Sequence, residues 1–67
     1  MSLAIEKAEL IATIVERRDD SKVIRRIARS YKPMMGEQRA RDLETLADIL
    51  DELVLNNRKR LKELHND

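Results

Sequence analysis

The chain has 67 residues, 42% of them hydrophobic and 40% charged, with a formal net charge of +1, one histidine and no cysteine. A chain this short makes one domain at most and buries only about 60% of the surface its unfolded form exposes. Disulfides and an intrachain Cys/His zinc site are excluded, which leaves helix packing or a partner subunit as the sources of stability.

The abundance of Leu, Ile and Val among balanced charges is the profile of charge-laced amphipathic helices rather than of disorder. Tyr31 is the only aromatic residue, so the core must be aliphatic. No apolar run approaches the roughly 18 residues that span a bilayer. Residues 1–9 lack a basic stretch followed by an apolar one, so no secretory signal is expected and the expected setting is the cytoplasm.

The first element is a helix over about 3–17. Its apolar face is centred on Ala4, Ala8, Ile11 and Val15, widened by Leu3, Leu10 and Ile14. A second face, made by Val23, Ile24, Ile27, Ala28 and Tyr31, follows from residue 23 onwards. On one continuous helical wheel the two faces point about 130–150° apart. A straight helix would leave one of them in water, and Asp19, Asp20 and Ser21 are all good N-cap residues. The periodicity therefore predicts a break near 17–21 and a second helix over about 21–32.

The only proline and the only glycine fall together in Tyr31-Lys32-Pro33-Met34-Met35-Gly36. Pro33 disfavours helix at Lys32, and Gly36 can cap the helix that follows. Met34 and Met35 read most simply as plugs at the end of a bundle.

Residues 37–65 read as one long helix. Leu43, Leu46, Ala47, Leu50, Leu53, Val54, Leu61 and Leu64 recur at three- and four-residue steps. Acidic Glu37, Asp42 and Glu44 lie near its start, and basic Arg58, Lys59, Arg60 and Lys62 near its end, in the order that favours the helix dipole. The expected fold is all-α: a small three-helix bundle, two short helices packed on one long C-terminal helix, in a single domain spanning 1–67 and dimeric.

Two surfaces are candidates for function. Between residues 17 and 32, Arg17, Arg18, Lys22, Arg25, Arg26, Arg29 and Lys32 stand against only Asp19 and Asp20. Such a basic stripe suits a phosphate backbone or an acidic partner. The plainer reading is that these charges pair with the acidic surface of the long helix. A groove-reading helix-turn-helix fits poorly, because the helix after the turn is acidic. The second surface is the stripe Leu43, Leu46, Leu50, Leu53, Asn57 and Leu61, expected to form core or dimer interface. Asn57 falls where a lone asparagine can set register in a two-chain coiled coil.

Catalysis has little support. No metal motif or glycine-rich phosphate loop is present, and His65 stands third from the end. No cofactor, small-molecule substrate or membrane is expected. The expected function is that of a small non-enzymatic regulator or adaptor, a homodimer that binds a protein partner through helical surfaces. The alternative is a nucleic-acid-binding regulator that uses the basic stripe.

Overall fold

The computed structural model describes residues 2–66. Three helices follow in chain order: α1 (Leu3–Ser30), the single turn α2 (Lys32–Met35) and α3 (Glu37–Asn66). The molecule is a hairpin of two long antiparallel helices, 49 × 14 × 14 Å along its principal axes. Its radius of gyration is 15.3 Å, against about 11 Å for a compact chain of this length.

The three-helix bundle is therefore corrected to a helical hairpin, and the break near 17–21 is absent. Ser2 caps α1, its Oγ accepting the N–H of Ala4 at 3.2 Å. From there α1 runs 28 residues without interruption, through Arg17, Arg18, Asp19, Asp20 and Ser21.

The reason lies in the residues that face α3. Ile14, Ser21 and Ala28, seven apart, are buried, and Lys7, Leu10, Arg17 and Ile24 are half-buried between them. On α3 the matching set is Ala40, Ala47, Val54 and Leu61, alternating with Leu43, Leu50, Asn57 and Leu64. Both helices thus keep the 3.5-residue repeat of a coiled coil. In that seam the a positions are Lys7, Ile14, Ser21 and Ala28 on α1 and Ala40, Ala47, Val54 and Leu61 on α3. The two apolar faces of α1 are both real, but they flank this seam on opposite sides. Between them runs a seam partly small and partly polar, so a straight helix has a packed face all along its length.

The seam is lined by alanine toward the turn. Ala28, Ala40 and Ala47 are at most 6% exposed, and small side chains there let the backbones approach closely. No large side chain is completely buried among the described residues.

The connector follows from Pro33 and Gly36. The N–H of Tyr31 still bonds to the carbonyl of Ile27 at 3.0 Å and closes α1. Proline then sits in the first turn of α2, where a missing N–H costs nothing. Gly36 has φ 89° and ψ 161°, a region open essentially to glycine alone. Its N–H donates to the carbonyl of Lys32 at 2.9 Å, and its carbonyl accepts the N–H of Ala40 at 3.2 Å. Gly36 thus ends α2 and starts α3 in one residue.

Candidate protein-docking surfaces

The antiparallel arrangement gives the hairpin two long flanks, set by which positions border the seam. On one flank, the e positions of both helices meet. Here Arg25 Nη2 lies 2.7 Å from Asp48 and 2.5 Å from Asp51, and Arg29 Nε lies 3.9 Å from Glu44. On the other flank the g positions meet. There Glu6 and Arg60 pair at 3.1 Å near the open end.

The seam itself is polar in its middle. Arg17 Nη1 donates to Asn57 Oδ1 at 2.6 Å. The buried Ser21 hydroxyl donates to Asp51 Oδ1 at 2.6 Å, with the Ala47 carbonyl 3.4 Å away. These bonds leave no buried side-chain polar atom unpaired among the described residues. The Ser21 bond, and after it the Arg25 guanidinium, hold the Asp51 carboxyl below its usual range. Asp48 and then Asp51 raise the pKa of Arg25, and Glu6 chiefly raises that of Arg60.

The seven basic residues do not share one environment. Arg17 is half-buried in the seam, and Arg25 and Arg29 are tied to acidic residues of α3. Arg18, Lys22, Arg26 and Lys32 are exposed and make no ion pair among the described residues. Lys22, Arg25, Arg26 and Arg29 line one shallow groove with Ser30.

The leucine stripe of α3 is divided likewise. Leu43, Leu50, Asn57 and Leu61 turn into the seam, where Asn57 meets Arg17 of its own chain. Leu46 and Leu53 are 45% and 37% exposed and lie on the g flank. Nearby on that flank are Val23, Ile27 and Ile49, all at least 40% exposed. Met35, Leu43 and Leu46 continue the surface into a groove with Arg39 and Asp42. The opposite flank carries a second apolar strip near the open end, where Ala4, Ala8, Ile11 and Val15 are exposed.

The Ser21–Asp51 pair leaves one signal in the sequence, the seven-residue spacing of Ile14, Ser21 and Ala28, which becomes visible when small and polar residues count as seam positions.

Among the described residues no group of His, Cys, Asp or Glu is placed to hold a metal ion. No helix there is long and apolar enough to cross a membrane. These features define an antiparallel coiled-coil hairpin with aliphatic side chains on both flanks. The chain matches none of the known protein-family models, curated proteins or solved structures with which it was compared.

Proposed function

We propose that this chain is a small non-enzymatic regulator or adaptor that works by docking a protein on its helical surfaces. The observation that carries the reading is the imbalance between inside and outside. Among the described residues, six hydrophobic ones are buried, three of them alanine, while twelve large hydrophobic ones are exposed. Scattered exposed aliphatics are ordinary, but here seven of the twelve gather into two strips, Val23, Ile27, Leu46, Ile49 and Leu53 on one flank and Ile11 and Val15 on the other, and contiguous apolar patches mark interaction sites. The Ser21 hydroxyl, the one buried polar side chain among the described residues, is committed to a structural hydrogen bond.

Nucleic-acid binding is the second reading. It is favoured by the stripe of Arg18, Lys22 and Arg26 at four-residue steps, which make no ion pair among the described residues. Against it stand the acidic partners already engaged with Arg25 and Arg29, and the single aromatic available for stacking.

The test is recovery of partners from source-cell extract on the immobilised full chain, with and without nuclease, using wild type, Ile11→Asp and Leu46→Glu. A nuclease-resistant partner lost with either variant is expected. Recovery that nuclease abolishes, or that both variants retain, overturns the reading. In parallel, generic duplex and single-stranded probes are titrated at near-physiological salt. Binding tighter than about 100 μM, with a log–log salt slope near −0.9 per phosphate contacted on duplex DNA, would promote the second reading.

A further inference from the structure

We infer that the g flank near the turn, formed by Val23, Ile27, Leu46, Ile49 and Leu53, is covered by a second copy of this chain, making a four-helix bundle from two hairpins. This deepens the proposed docking role and rests on the same reading of the exposed aliphatics.

The heptad positions carry the first part. A two-helix coil needs apolar residues only at a and d, whereas a bundle helix with a second neighbour also needs them at e or g. Of the g positions in this stretch, Ile27 of α1 and Leu46 and Leu53 of α3 are apolar and 37–45% exposed, while Asp20 of α1 and Arg39 of α3 are exposed charges of opposite sign. The c positions Val23 and Ile49 widen the strip and are 45% and 50% exposed. Because the helices are antiparallel, the g positions of both lie on the same flank. The result is a face two helices wide, and an identical hairpin presents a face of the same width. The e positions beside the turn are instead Arg25, Glu44 and Asp51, with Arg25 closed off by ion pairs within the hairpin.

The surface area carries the second part. The molecule exposes 5219 Å² at a mass of 7.9 kDa. A compact monomer of that mass exposes about 4,400 Å². The excess, about 800 Å², is what each partner surrenders in an interface of standard size. A second hairpin on the g flank removes that excess and supplies the core that an alanine-rich seam lacks.

The experiment is sedimentation equilibrium of the full chain between about 1 and 200 μM, together with the dependence of the melting temperature on concentration. A mass twice 7.9 kDa is expected, with a melting temperature that rises with concentration. Leu46→Glu keeps a good helix former and adds a charge to the flank, and it should weaken dimerisation at least 100-fold. Ile11→Asp, on the opposite flank, should leave the mass doubled. Should Leu46→Glu fail to fold, cysteine placed at Ile49 decides, since the chain has no other. The Ile49→Cys thiol should react with a soluble thiol reagent more slowly as protein concentration rises, whereas the Val15→Cys thiol should react at one rate throughout, and equal behaviour of the two would overturn the inference.

A monomer throughout the range overturns the inference. So does a dimer that Leu46→Glu leaves intact, or one that Ile11→Asp breaks. A monomer that still holds a nuclease-resistant partner would sink the dimer alone. A dimer without any such partner would sink the adaptor role alone.

Discussion

Replacing Ser21 by alanine isolates the polar centre of the seam. Ser21 is 3% exposed, and its hydroxyl donates to Asp51 at 2.6 Å. Alanine fits the same space and leaves no buried donor behind, so the loss is that of the bond itself. Hydrogen bonds to charged groups contribute about 1.5–3 kcal/mol. Asp51 is half exposed and keeps Arg25, so the low end applies. Alanine's better helix propensity returns about 0.5 kcal/mol, leaving a net cost near 1 kcal/mol. For a domain this size that is about 4–8 °C in melting temperature. Urea unfolding followed by circular dichroism at fixed protein concentration measures it.

The same substitution has a second, independent readout. The folded state holds the Asp51 carboxyl below its unfolded value of 3.8, with Ser21 the largest cause. The stabilisation is therefore present above that value and lost as pH falls through the folded pKa. Ser21→Ala should bring the carboxyl back toward its usual range and flatten this acid loss of stability. Arg25→Ala should do so to a smaller degree. Carboxyl titration by NMR resolves the two. An unchanged Asp51 titration in Ser21→Ala, or an unchanged melting temperature, would refute the role given to this bond.

Three further outcomes test the fold. Asp19→Pro places a proline inside the continuous α1 and should cost about 3 kcal/mol or more, whereas a linker at 17–21 would accept it with little change in the urea midpoint. Gly36→Ala should cost about 1–3 kcal/mol through backbone strain alone, because a Cβ there meets no atom within 4 Å; retention of the wild-type melting temperature would contradict the positive φ. Ala47→Leu puts a large side chain where exposure is 0%, opposite Ser21. Forcing the helices apart should cost about 1–3 kcal/mol, read as a lower denaturant midpoint.

Much of this architecture is local and legible in the residues themselves. The long C-terminal helix shows in leucines at three- and four-residue steps and in charges ordered along the helix dipole. The turn shows in Pro33 and Gly36, each of which permits few backbone conformations. Both depend on neighbours within a few residues, where sequence pattern and structure are tied directly. The continuity of α1 is not of that kind. Its apolar residues change sides near Arg17, and a reading that follows apolar residues alone sees two helices. What joins them is Ser21 bound to Asp51, thirty residues away, and Arg17 bound to Asn57, forty residues away. Those bonds make polar positions acceptable in a packed seam. They also take Asn57 into its own chain and turn Leu46 and Leu53 outward, away from α1. Which residues form core and which form docking surface is decided by the phase of one helix against the other, and that phase exists only once the hairpin has closed.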